Sequence, residues 1–148
     1  MIRLFCVVEP PKVRSWGRLS LDYLTALAAG PEPIRAISLS GGADLNHPDW
    51  LPVKHHFQTP FDTLSTYIVA GPPAFLDRLW TVGMRNIAIC GGGRTTWVGV
   101  DSAKEPLAKY DEVWVADESL YDCIYNTIYV PPWTASEYLQ TALTKAGS

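Results

Sequence analysis

The chain has little of what builds staples or metal centres. Its 148 residues include three cysteines, Cys6, Cys90 and Cys123, and no Cys-x-x-Cys pair. A disulfide framework and a structural zinc site are therefore not expected, and no His/Asp spacing suits a metal. Cys at such positions reads as a small hydrophobe within buried strands. No apolar run approaches the roughly 20 residues needed to cross a bilayer. The opening Met1–Glu9 lacks a small-residue cleavage site and reads as a first strand, so a cytoplasmic protein is expected. Basic charge is not in excess: 12 Lys and Arg stand against 15 Asp and Glu, with a net charge of −3 and a pI near 5.5. The basic residues are scattered, which argues against a nucleic-acid binder. Internal repeats, low-complexity tracts and a dividing linker are also missing.

What remains is the composition of one globular domain spanning 1–148, with 47% hydrophobic and 18% charged residues. Six tryptophans and seven tyrosines are many for this length. Such rings fill cores, stack on sugar faces and dominate interfaces, and composition does not choose among these.

Short apolar, β-rich runs recur at Ile2–Val8, Ile34–Leu39, Val53–Phe57, Thr66–Ala70, Asn86–Cys90, Val113–Ala116 and Ile128–Val130. Several are almost continuously hydrophobic, as strands covered on both faces are. Helical patterns lie between them. Trp16–Ala29 is closed by Gly30 and Pro31, and Pro72–Val82 stops at Gly83. Ser119–Tyr125 makes a short crossover, and a last helix opens on the capping box Thr134-Ala135-Ser136-Glu137. Ser40–Pro52 reads as a loop. The alternation predicts a Rossmann-like α/β fold, an open and mostly parallel doubly wound sheet with helices on both faces.

Ligands of such sheets sit beyond the carboxyl ends of the strands. The loops there are Glu9–Arg18, Ser40–Asp44, Gly71–Pro73, Gly91–Trp97 and Asp117–Ser119. The triple glycine Gly91, Gly92, Gly93 followed by Arg94 has the composition of an anion nest. It is neither a Walker loop nor a dinucleotide fingerprint, and a merely flexible turn is the competing reading. Trp16, Gly17 and Arg18 stand at a helix start, where backbone N–H groups and the helix dipole favour an anion and Arg18 would add a charge-assisted bond. The competing reading is a tight turn with Trp16 plugging the sheet. His55 and His56 fall on an apparent strand, one pointing in and one out. His47 is a weak candidate general base, since histidine titrates near neutrality. Glu118, beside Asp117 at a strand end, is a second weak catalytic candidate, although a helix cap at Asp117 or Ser119 is the simpler reading. No catalytic triad or nucleophile elbow is legible.

Two stretches carry a family resemblance. Tyr110-Asp111-Glu112-Val113-Trp114-Val115-Ala116-Asp117-Glu118-Ser119, followed by Val130-Pro131-Pro132-Trp133, resembles the end of the N-terminal, acceptor-side half of GT-B glycosyltransferases. Ser15-Trp16-Gly17-Arg18 resembles their Gly-Trp-Gly-Arg turn at the interdomain cleft. Cys90–Gly93 departs from the Trp-Glu-Thr type sequence usual at that strand end. The resemblance implies a glycosyltransferase-related domain without the donor-binding half. Such a domain would act with a partner chain or as a homo-oligomer on a sugar or nucleotide-sugar ligand, with no metal and no cofactor. The alternative is a non-catalytic nucleotide- or protein-binding domain of the same fold. Nucleic acid and a membrane span are not expected.

Overall fold

The computed structural model describes residues 4–8, 14–38, 48–57, 64–71, 73, 76, 83–92, 94–100 and 107–147. Six strands, β1 (Leu4–Val8), β2 (Ile34–Ser38), β3 (Thr66–Ala70), β4 (Arg85–Cys90), β5 (Glu112–Val115) and β6 (Ile128–Tyr129), form one sheet in the order β2-β1-β3-β4-β5-β6. Every pairing in it is parallel. This establishes an α/β fold. Among the described residues no helix is long and apolar enough to cross a membrane.

The near-continuous apolar strands are explained by two cores, one on each side of the sheet. Ile68 and Ala70 of β3, Ile87 and Ile89 of β4 and Trp114 of β5 pack into the first. They meet Leu24 and Leu27 of the helix α1 (Arg14–Ala28) and Ala135 and Leu139 of the last helix (Pro132–Gly147). The intervening residues Val69, Ala88, Cys90, Val113 and Val115 enter the second core with Leu76, Trp97 and Leu120. Period-two alternation thus sends both sets of side chains into apolar surroundings. Each fully buried leucine or isoleucine contributes roughly 1.5–3 kcal/mol.

α1 ends where Gly30 meets the last helix. A Cβ at Gly30 would lie 1.8 Å from Ser136 Oγ, so only glycine allows that approach.

Several sequence expectations are corrected. Val53–Phe57 is not a strand: Leu51–His56 is a 3₁₀ helix with a proline in its first turn, and only Phe57 bridges to β2, in parallel with Ala36. Trp50 and Val53 are buried and His56 is half-buried, a spacing of three that matches the 3₁₀ period and not the strand period of two. His55 and His56 therefore do not face opposite ways from a strand. Their rings lie 4.0 Å apart, and His56 Nδ1 is 3.1 Å from the Ile34 carbonyl oxygen, an acceptor that fixes the proton on Nδ1.

The last helix opens at Pro132, ahead of the expected capping box. Proline is preset for the first helical position, and Thr134 Oγ1 donates to the Pro131 carbonyl (3.1 Å) in place of capping. α1 opens at Arg14, so Trp16, Gly17 and Arg18 belong to its first turns. Of the expected helix Pro72–Val82, only Pro73 and Leu76 lie among the described residues, and both are helical.

Candidate functional site

The carboxyl ends of β3, β4, β5 and β6 form one rim of the sheet, and its pieces are held by backbone groups and large side chains. At the end of β4, Gly91 is buried and its carbonyl accepts a hydrogen bond from Trp97 Nε1 at 2.7 Å. Trp97 closes the single helical turn Arg94–Trp97 and is fully buried, so the turn is pinned under the glycines by its last residue. Gly92 has φ +81°, a left-handed conformation that favours glycine. Gly91 is closely packed on its open side. A Cβ there would lie 2.6 Å from Leu19 Cδ2, because Leu19 of α1 packs directly on it.

β4 is tied onward by Ala116 N–H donating to the Cys90 carbonyl (3.0 Å), and β5 by Val130 N–H donating to the Val115 carbonyl (3.1 Å). Tyr23 of α1 is wholly buried, and its hydroxyl donates to the Val130 carbonyl at 2.5 Å. Burial, reinforced by Tyr129, Cys90 and Asp22, pushes the Tyr23 phenol well above its usual range. Burial alone does the same to the Cys90 thiol. Both groups are neutral hydrogen donors at ordinary pH. Neither is poised as a nucleophile.

Each expected site residue takes its place against this rim. Gly91 and Gly92 lie on it, Arg94 opens the helical turn beneath it, and Gly93 falls outside the described residues. His47 also falls outside them. Trp16 and Gly17 stand at the start of α1. Arg18 is exposed and pairs with Asp22 one turn along, Nε to Oδ1 at 3.1 Å. It is Leu19, the next residue, that reaches β4. Glu118 is exposed in the first turn of the 3₁₀ helix Glu118–Asp122. Asp117 caps that helix, its Oδ1 accepting from Ser119 N–H at 3.0 Å. Among the described residues no group of three or more His, Cys, Asp or Glu is placed to hold a metal.

Sequence reasoning missed Leu19, Trp97 and Tyr23, which decide the shape of the rim. A leucine next to a candidate arginine carries no signal of its own. Trp97 had one, as a bulky apolar residue four positions after a glycine run. Trp133, at the start of the last helix, is 78% exposed and faces solvent where the chain leaves β6. The rim offers backbone amides, a left-handed glycine and exposed carboxylates. It suits an uncharged or hydrogen-bonding ligand at least as well as an anion. No family model, no curated protein and no solved structure matches this chain.

Proposed function

We propose that the chain is a Rossmann-like, acceptor-side domain of the GT-B glycosyltransferase type, working in sugar transfer with a donor-binding partner or as a dimer. The observation that carries this reading is the strand order. Phe57 bridges the outer side of β2 in parallel, the place a further strand between β2 and β3 would occupy. Counting that bridge, the order runs 3-2-1-4-5-6-7, which opens as the doubly wound dinucleotide-binding order does. The reversal then lies between β1 and β3. The crevice at their carboxyl ends, flanked by Gly71 and by the Gly91–Gly92 turn, is where a nucleotide sugar or acceptor would sit. The Asp111–Trp133 resemblance supports the same assignment, and the exposed Trp133 supplies a ring for a sugar or a partner domain.

The second reading, a non-catalytic nucleotide- or protein-binding domain, is favoured by two details. Leu19 fills the space over Gly91, and Arg18 is engaged with Asp22 on the helix surface. If the chain is instead a nucleotide binder whose Gly91–Arg94 loop does the work, Arg94→Ala abolishes nucleotide binding and Arg18→Ala leaves it intact.

Thermal unfolding against nucleotides, nucleotide sugars and simple glycans separates the readings. A ligand at 100 times its dissociation constant stabilises by about 2.7 kcal/mol, which moves the midpoint by several degrees. A shift with nucleotide sugars sustains the transferase reading, and a shift with free nucleotides alone favours the second. A flat panel rejects small-molecule binding in both.

A further inference from the structure

The two edges of the sheet are finished differently. β2 is covered, because Phe57 bridges to Ala36 in parallel and His56 Nδ1 donates to the Ile34 carbonyl at 3.1 Å. Among the described residues β6 has a strand on one side only, β5. Backbone groups along a strand alternate in direction. Val130 N–H donates to the Val115 carbonyl in β5, so Tyr129, one residue earlier, turns its N–H and C=O outward. The next outward position is Pro131, which has no N–H to offer. Tyr129 is thus the residue of β6 that could both donate to and accept from a further strand. An open donor and acceptor of this kind are a template for another chain. Were two copies to meet about a two-fold axis, Tyr129 of one would exchange both bonds with the same residue of the other. Exposed Ile128 in the strand, with exposed Tyr125 before it and Trp133 after it, would add apolar area to that contact.

The donor is already taken. The Tyr121 hydroxyl accepts a hydrogen bond from Tyr129 N–H at 2.8 Å, standing where the carbonyl oxygen of a neighbouring strand would stand. That hydroxyl is delivered by the 3₁₀ helix Glu118–Asp122, which is anchored in the second core by Leu120 and by Ile124 just beyond it. Asn126, at φ 54°, then turns the chain back so that β6 begins only at Ile128 and stays two residues long. We infer that Tyr121 guards this edge, its hydroxyl closing β6 against pairing with a second copy of the chain. A short strand, a proline at the next outward position and a side chain on the remaining donor all act to the same end. The guard does not depend on sugar transfer. It does constrain that reading, since a working dimer would have to form away from β6.

The test is Tyr121→Phe, which removes one exposed oxygen and keeps the ring. Hydrogen exchange at high dilution, read by mass spectrometry over Thr127–Val130, should be about fivefold faster in the variant, as the loss of one net hydrogen bond gives. Sedimentation velocity over a concentration series should then reveal, in the variant, a species of twice the wild-type mass. Tyr121→Phe combined with Ile128→Lys should sediment as wild type again, because a lysine on an edge strand opposes pairing. Equal exchange in wild type and variant overturns the proposal, since the donor is then not held. A faster-exchanging variant that sediments as wild type at every concentration also overturns it, leaving the hydroxyl a staple of its own turn. Association that Ile128→Lys does not reverse overturns it as well, placing the contact on another face.

Discussion

The two ends of the sheet are built from different materials. At the amino ends of β4 and β5, charged and polar side chains join strands and helix. Glu112 holds Arg85 through Oε2, while its Oε1 accepts from Tyr138 of the last helix at 3.0 Å and from Trp114 Nε1 at 3.3 Å. Asp111 Oδ2 accepts from Asn86 N–H at 2.7 Å, and the Asn86 amide exchanges hydrogen bonds with the Gly83 backbone. At the carboxyl ends, main-chain carbonyls are served by single buried aromatics, Trp97 and Tyr23, and the turn is shaped by glycine and one leucine. The amino end spends its polar side chains on the fold. The carboxyl end carries its exposed carboxylates on the Glu118–Asp122 turn and its cap, and its glycines shape the backbone.

The carboxyl end depends most on Trp97. Trp97→Ala removes both the fill of the second core and the donor to Gly91, and should lower stability by about 3–5 kcal/mol in denaturant unfolding. Trp97→Phe, keeping most of the volume, should cost about 1–3 kcal/mol for the orphaned carbonyl. If the two variants are equal, the hydrogen bond and not the fill holds the rim.

The glycines of the two ends differ in what an added methyl would meet. A Cβ on Gly83 would lie 2.5 Å from the Ser65 carbonyl oxygen and 2.3 Å from Tyr67 Cδ1, and the backbone oxygen has no easy retreat. Gly83→Ala should cost about 3 kcal/mol and Gly91→Ala about 1 kcal/mol, because the half-buried Leu19 tip can swing aside. Leu19→Ala should restore most of the Gly91→Ala loss in a double-mutant cycle.

Glu112→Gln should cost about 2 kcal/mol, below the full cost of breaking a buried pair because Arg85 keeps some solvent contact. Arg85 Nε is already buried without a hydrogen-bond partner, so this variant strands a second part of the same guanidinium. Equal unfolding midpoints for Glu112→Gln and wild type would show that the amino end is not a clamp.

The smallest effect is a pH slope. Burial first, then the charge of Glu112 and the hydrogen bond to it, pushes the Tyr138 phenol up from 10.0 to about 12. A raised native pKa favours the protonated form, so this contribution is complete below pH 10 and lost as pH climbs towards 12. Tyr138→Phe should flatten the fall of stability across that window. An unchanged slope would assign the alkaline transition elsewhere.

These particulars show what a sequence carries. Thr66–Ala70 was legible to the residue because both of its faces are buried, which leaves an uninterrupted apolar run. A cap at Asp117 or Ser119 was legible because capping is a local event, and Asp117 is the one that caps. Val53–Phe57 misled because its apolar ends mimic a strand while Pro52 and a spacing of three make a 3₁₀ turn. The amino-end cluster had no signal, since Glu112 lies 27 residues from Arg85 and 26 from Tyr138. At the rim, the glycines could be named in advance, but the leucine that fills the space above Gly91 could not.

The bond from Tyr23 to the Val130 carbonyl joins residues 107 positions apart. A growing chain makes α1 before β6, and that tyrosine hydroxyl has no native acceptor until residue 130 has emerged. At roughly 5–20 residues per second the wait lasts from several seconds to about twenty. During it the helix must carry a buried polar group unpaired or keep it in water. The first helix is thus synthesised well before it can be locked, and ribosome-bound fragments ending before residue 130 should leave Tyr23 accessible to solvent.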